Sequence, residues 1–293
     1  MVLMYSVVGP TASGKSKVAI ELAQRLGRAE IINFDAFQIY KGLEIISAAP
    51  TVEEQKQIPH WLFGFLSPTE EWDAVQHTQK VLSLLDDFRK RNITPILVGG
   101  SGFYLKNILC PLPDLPPANP ELRQKLEQLP SPQLLEKLQQ LDPVCFQKID
   151  QANLRRVIRA VEVCLLTSRP FSSFEVSETP RFPVRGVFLH PEREQLRETI
   201  SRRTEQMLVS GAVEEIAALP AHLSRSAAQC IGIQEIQNHL QNGVSLQETA
   251  ERISLRTSQY AKRQITFFKR YFPYPQATSS QDALKKFLEA PTS

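Results

Sequence analysis

Eight residues near the N-terminus constrain this chain more than any others: Gly9-Pro-Thr-Ala-Ser-Gly14-Lys15-Ser16 satisfies G-x-x-x-x-G-K-[ST] at every fixed position. Tyr5 to Val8 forms a short apolar run before it. After it, Val18, Ala19, Leu22, Ala23 and Leu26 recur at helical spacing, with Gly27 as a stop. Strand, glycine-rich loop and helix follow in that order. In this context backbone amides curl around one anionic group, and the helix adds its positive N-terminal end. The pattern assigns Gly9, Thr11, Ala12, Ser13, Gly14, Lys15 and Ser16 to a pyrophosphate-bearing ligand, with Lys15 as the mobile cation and the Ser16 hydroxyl suited to Mg²⁺.

The chain continues in alternation. Ile31 to Phe34 reads as a second strand with Asp35 at its carboxyl end, Val81 to Phe88 as a helix, and Ile93 to Val98 as a third buried strand before Gly99-Gly100. Val184 to Leu189 returns as a strand, and long helices follow, one opened by the capping box Ser245-Leu-Gln-Glu248. Such alternation predicts an α/β fold: a P-loop NTPase-like core with a mostly parallel sheet. Five prolines between Pro111 and Pro120 mark a boundary, and the stretch from Glu121 to Thr167 is helical and rich in Leu, Gln and Arg. The expected organisation is a core of residues 1–114 and 181–293 interrupted by a helical insertion over 115–180, with the end after Pro273 loosely ordered.

Composition narrows the class. Among 293 residues, 42% are hydrophobic and 22% charged, as in globular proteins, and no apolar run approaches the ~20 residues that span a bilayer. The apolar start, Met1 to Val8, is too short for a signal peptide, so a cytoplasmic protein without membrane contact is expected. Cys110, Cys145, Cys164 and Cys230 lie far apart and form no C-x-x-C pair, which predicts reduced core thiols. Charge is uneven: residues 1–150 carry 15 basic and 17 acidic side chains, whereas 151–293 carry 19 and 14. A basic second half suits a polyanionic partner, although solvated helix faces produce the same imbalance.

A P-loop does not by itself define a reaction. Many P-loop ATPases place a metal-holding carboxylate at the end of another strand, but the strand ending at Val98 runs into Gly99-Gly-Ser-Gly102 with no acid. Asp35 is the carboxylate best placed by sequence. Ligands of such sheets bind beyond the carboxyl ends of strands, so Asp35 is either a base facing the ligand or a loop acid capping a helix.

Several separated blocks together resemble the tRNA dimethylallyltransferase (isopentenyltransferase) family, bacterial type. They are the P-loop itself; Asp35-Ala-Phe-Gln38-Ile-Tyr40-Lys-Gly42; Pro95-Ile-Leu-Val-Gly-Gly-Ser-Gly-Phe-Tyr104-Leu-Lys106; and Arg156-Val-Ile-Arg159-Ala-Val-Glu162. Later come Arg203 with Met207 and Gly211, then Gly232 with Glu235, and Thr257-Ser-Gln-Tyr260-Ala-Lys-Arg-Gln264. The resemblance implies transfer of a dimethylallyl group from dimethylallyl pyrophosphate to the exocyclic amine of the adenosine on the 3′ side of a tRNA anticodon, with release of pyrophosphate. It implies Asp35 as the catalytic base, helped by Ser101 (where the family usually has Thr) and Lys15. Arg203 joins the P-loop on the leaving group, and Mg²⁺ is the implied cofactor. For the tRNA it implies Asp35, Ala36, Phe37, Gln38 and Ser101 at the target base, and Arg155, Arg156 and Arg159 on the opened anticodon loop. A solvated helix face is the other reading of the arginines. Tyr260 is either an RNA contact or core. A monomer is expected.

The chain departs from the family pattern. Ala36 stands where Ser is usual, Ile46-Ser-Ala-Ala49-Pro50 replaces Gly-Thr-Ala-Lys-Pro, and His60-Trp-Leu-Phe-Gly64 replaces His-His-Leu-Ile-Asp. Ala152-Asn153 and Ile233-Gln234 replace further polar pairs. His60 and Trp61 are expected either at the channel or, for Trp61, in the core. Two other functions fit the motifs: a small-molecule kinase with Asp35 activating a hydroxyl, and a degenerate tRNA-binding protein without catalysis.

Overall fold

The structure, a computed structural model, describes residues 3–111, 113–174 and 179–289. The chain divides into two units, one formed by residues 1–109 and 182–293 and the other by residues 110–181. The first division therefore falls just ahead of the proline run rather than inside it.

The larger unit is built on six strands: β1 (Met4–Val8), β2 (Ala29–Asn33), β3 (His60–Trp61), β4 (Thr94–Gly99), β5 (Val184–Leu189) and β6 (Gln276–Ala277), ordered β3-β2-β4-β1-β5-β6. Every neighbouring pair is parallel. β1 and β2 are buried along their whole length, as expected where helices cover both faces of a parallel sheet. On one face, α1 (Lys15–Leu26) packs Val18, Ala19, Leu22 and Ala23 against Tyr5, Val7, Ile31, Ile96 and Val98. α2 (Val52–Gln57) leads into β3, and α3 (Ala74–Arg91) and α4 (Gly102–Leu109) flank β4.

Register explains where the site forms. Val8 pairs with Gly99, and Asn33 pairs with Val98, so β1, β4 and β2 end at one level. The P-loop, the Gly100-Ser101 turn and Asp35 therefore leave the same edge of the sheet together.

After β5 come α9 (Arg193–Val209), α10 (Ala212–Ala217), α11 (Ile233–Asn242) and the long α12 (Leu246–Tyr271). Ser245 accepts the amide of Glu248 at 3.2 Å, but the reciprocal half of the expected capping box is missing, because Glu248 pairs with Arg252 at 2.5 Å. An ion pair to the next turn outcompetes the bond back to the cap. Over the described residues, the expectation of a loosely ordered end after Pro273 is not met either; residues 290–293 lie outside them. β6 extends the sheet beside β5, and α13 (Ser280–Glu289) buries Ala283, Leu284 and Phe287 in the α1 core. The apolar spacing of Ala283, Leu284 and Phe287 is one face of a helix, so the tail has its own reason to dock.

Among its described residues the smaller unit has four α-helices, α5 (Pro120–Glu127), α6 (Ser131–Leu141), α7 (Pro143–Lys148) and α8 (Leu154–Thr167), and a short 3-10 turn at Phe171–Ser173, with Leu126, Leu134, Leu138, Val157 and Val161 in their core. Its organising polar group is Glu162, fully buried on α8. This carboxylate accepts Arg123 at 2.8 Å, Arg159 at 2.7 Å and the Asn119 amide at 2.8 Å. Burial alone would raise its pKa, but these bonds together outweigh it and lower the carboxyl from its ordinary value.

Cys145, Cys164 and Cys230 are buried as expected, whereas Cys110 is partly accessible. Trp61 is neither core nor cavity wall: it sits 36% exposed on the edge strand, its indole N–H donating to Glu30 at 2.6 Å. Among the described residues no helix is long and apolar enough to cross a membrane.

Candidate active site

The P-loop curls because two of its residues adopt left-handed backbone, Ala12 (φ 63°) and Gly14 (φ 85°). Gly14 provides no side-chain cap for α1, so the first-turn amides of that helix point outward at the loop. Gly9 has a different reason to be glycine: a Cβ there would stand 2.6 Å from the Leu189 carbonyl of the neighbouring strand. It shapes the loop from behind. Ser13 is likewise buried, with no hydrogen-bond partner for its hydroxyl.

Two cations meet at the loop. Lys15 Nζ donates to the Pro10 carbonyl at 2.6 Å, and Arg203, from α9, donates through Nη2 to the Thr11 hydroxyl at 2.7 Å. Arg203 Nε is buried without a partner. Burial pulls Lys15 down to about 8, offset in part by Asp35 and deepened by Arg203, and burial also lowers Arg203. Two desolvated positive charges, an unpartnered guanidinium N–H and a bare helix N-terminus together form a site for a multiply charged anion.

The acceptor side is built at the end of β2. Asn33 fixes the turn, its Oδ1 accepting the Asp35 amide at 2.7 Å and its Nδ2 donating to the Leu62 carbonyl at 2.9 Å. Behind it, His77 Nε2–H donates to the Asn33 carbonyl at 2.8 Å while Nδ1 accepts the Trp72 indole N–H at 3.3 Å. Burial lowers His77 to about 4, so it stays neutral in this tautomer. The Asp35 carboxylate accepts the Phe37 amide at 3.1 Å and the Gly100 amide at 3.3 Å. Ser101 Oγ accepts the Ala36 amide at 2.9 Å and hydrogen-bonds the Tyr260 hydroxyl. Burial and the Asp35 charge push the Tyr260 phenol up, so it remains protonated.

Both sides open into one cavity of about 310 Å³, within the range of small-ligand sites. Thr11, Ala12, Gly14, Lys15, Ser16 and Arg203 line it on one side, and Asp35, Phe37, Gln38 and Tyr260 on the other. Gly9, Ser13, Ala36 and Ser101 stand outside the lining. Gln38 donates its amide to the Ser47 and Ala48 carbonyls at 3.2 and 2.8 Å, which leaves its oxygen as an acceptor. Ile46, Met207, Cys230, Ile231 and Ile253 supply an apolar wall. Burial raises the Cys230 thiol, so it packs as a neutral group. Ile46, the first residue of one departing segment, and Ile231, two residues before another, thus belong to this wall.

The insertion arginines divide. Arg155 and Arg156 are exposed on α8, whereas Arg159 is partly buried and committed to Glu162 and to the Pro116 carbonyl at 2.7 Å. Sequence reasoning missed Asn33 and His77, and it named Thr257 and Gln264 without giving either its place: Thr257 lines the cavity, and Gln264, buried on α12, accepts the Thr11 N–H at 2.8 Å and donates to the Gly100 carbonyl at 2.9 Å. No group of three metal-binding side chains occurs among the described residues. Ser16 at the cavity still fits Mg²⁺, which commonly takes most of its ligands from substrate phosphates and water.

Comparison with known proteins places this architecture. A profile described as IPP transferase matches residues 38–271. A tRNA dimethylallyltransferase of Gloeothece citriformis is 39% identical over 90% of this chain and 88% of its own, and one from Nostoc punctiforme is 37% identical over 92% and 90%. Among solved structures, the full-length tRNA isopentenylpyrophosphate transferase of Bacillus halodurans superposes with a TM-score of 0.70 at 30% identity, covering 99% of this chain and 94% of that one. A eukaryotic dimethylallyltransferase described as acting on tRNA gives 0.80 at 26% identity over 92% and 70%. With its P-loop, its Asp35 turn and its helical insertion, the chain belongs to the IPP transferase family of tRNA dimethylallyltransferases.

Proposed function

We propose that the protein transfers a dimethylallyl group from dimethylallyl pyrophosphate to the exocyclic amine of the adenosine 3′ to a tRNA anticodon, releasing pyrophosphate. The observation that carries this reading is that one cavity is lined by Lys15 and Arg203, by Asp35 and by the apolar Ile46, Met207, Cys230, Ile231 and Ile253. An adenine amine is a weak nucleophile, because its lone pair is delocalised into the ring. Asp35, held by the Phe37 and Gly100 amides, orients the amine and takes its proton as the N–C bond forms. The C–O bond to pyrophosphate breaks, and the negative charge left on that oxygen falls to Lys15, Arg203 and the first amides of α1. Ser16 would hold Mg²⁺ together with the pyrophosphate oxygens, where the ion neutralises further charge. Ile46, Met207, Cys230 and Ile253 suit a branched five-carbon chain and keep water from the allylic carbon.

The adenine must leave its stack to enter such a cavity, which suits an opened loop. Phe37, beside the Tyr260 ring at 6.2 Å, and the free acceptor of Gln38 offer it a flat face and a polar contact. Arg155 and Arg156 serve the RNA backbone from the insertion, while Arg159 works mainly to shape α8. A monomer acting in the cytoplasm completes the proposal. The kinase alternative gains nothing from an apolar wall at the transfer position.

The test is incubation of the purified chain with unmodified tRNA, dimethylallyl pyrophosphate and Mg²⁺, followed by nucleoside mass spectrometry. Isopentenyl adenosine is the expected product. Binding of tRNA without product would instead support the degenerate homologue.

A further inference from the structure

One buried side chain touches both halves of the cavity. Gln264, 4% exposed on α12, uses its amide oxygen for the Thr11 N–H of the P-loop and its amide nitrogen for the Gly100 carbonyl of the β4 turn. Each partner continues into the chemistry. Thr11 Oγ1 accepts Arg203 on the leaving-group side, and the Gly100 N–H donates to Asp35 on the acceptor side. Gly100 must be glycine for the same reason: a Cβ there would collide with Gln264 Nε2 and stand 3.2 Å from Asp35 Oδ2.

We propose that Gln264 is a positioning residue that sets the spacing between the pyrophosphate cradle and Asp35, through the continuous chain Arg203–Thr11–Gln264–Gly100–Asp35. It does not line the cavity, so it acts through Thr11 and Gly100 rather than on substrate. Displacement at carbon needs amine, carbon and leaving oxygen in line, and an error of about 1 Å in that spacing costs up to ~100-fold in rate. The amide is suited to this task because one end accepts and the other donates. A side chain of the same shape without that polarity cannot satisfy both loops.

The inference rests on the proposed transfer reaction, and two substitutions test it. Gln264→Leu removes both bonds. The single-turnover rate is expected to fall roughly 10- to 100-fold, while affinity for inorganic pyrophosphate stays close to that of the native chain. Gln264→Glu adds the discriminating readout. Its carboxyl reproduces the amide's donor–acceptor pattern only when protonated, and burial raises the pKa of such a group. The ratio of variant to native rate should therefore climb as the pH falls from about 8 to about 6. Lys15, Asp35, Arg203 and Tyr260 surround the same loops, and the ratio removes what they contribute equally in both proteins. A pH-independent ratio, or a Gln264→Leu rate equal to native, would overturn the inference. In parallel, pyrophosphate should shift the Gly100 amide resonance in the native chain and not in Gln264→Leu. That readout needs no turnover: a native chain that makes no product would count against the transfer reaction, while equal Gly100 shifts in both proteins would count against the positioning role.

Discussion

Lys15 should make the protein less stable while it makes the site work. Its ammonium sits beneath the cavity, drawn from an ordinary value of 10.5 to about 8 mainly by burial. A group with a depressed pKa in the folded state binds its proton more weakly there than in the unfolded chain. Below pH 8 both states are protonated, and the folded state bears the full cost of burying the charge. Between pH 8 and 10.5 only the unfolded chain keeps the proton, so stability rises with pH across that window. The full shift corresponds to ~3 kcal/mol. Part of the side chain still faces the open cavity, so about 1–2 kcal/mol is the expected net effect. Lys15→Met removes the titration. Urea unfolding of the two proteins from pH 7 to 10.5 should show Lys15→Met as stable as the native chain or more so at neutral pH, with the native chain gaining about 1–2 kcal/mol relative to it as pH rises. Pyrophosphate binding must show the opposite preference, because it uses the charge. The affinity of the native chain relative to Lys15→Met should fall about tenfold or more above pH 8. A stability difference that stays flat with pH, or a pyrophosphate affinity ratio that does not decline, would refute the placement of Lys15 as a desolvated cation.

Arg156→Ala and Arg159→Ala should separate into two kinds of defect. Loss of Arg156 should weaken tRNA binding and reduce its salt slope by roughly one unit, whereas loss of Arg159 should cost about 2–3 kcal/mol of stability, because the buried Glu162 carboxylate loses a partner; tRNA titrations at several salt concentrations and thermal unfolding distinguish them. Phe287→Ala should destabilise the larger unit by about 3–5 kcal/mol, since the ring is 2% exposed in the α1 core, and urea unfolding reads this directly.

The parts of the fold visible in the sequence are those set by local rules. The P-loop announces itself because its glycines and lysine lie within eight residues, and the strand and helix around it follow from apolar spacing. Asp35 was legible as a strand-end carboxylate, because ligands of such sheets gather at that edge. What stayed hidden depends on contacts across the whole chain. Gln264 and Thr11 are 253 residues apart, and nothing local pairs them. A signal nevertheless existed: α12 buries Ile253, Thr257, Ala261, Gln264 and Phe268 on one face, and a glutamine in such a stripe requires buried partners. Arg159 was read with its exposed neighbours, although it sits one turn from Glu162 on the same helix. A carboxylate at that spacing already suggested an internal ion pair. Ser101 was read at the target base; the sequence did not show that its hydroxyl also accepts the Ala36 amide, 65 residues away, and so ties the β4 turn to the Asp35 turn. β6 is only two residues long, too short for any alternation to reveal it.

The most direct measurement is the single-turnover rate of isopentenyl adenosine formation by Asp35→Asn, taken alongside pyrophosphate affinity. The substitution keeps shape and removes the proton acceptor. A fall of roughly 10²- to 10⁴-fold in the rate, with pyrophosphate affinity preserved, is the predicted result. A variant that turns over at the native rate would contradict Asp35 as the base and with it the central claim.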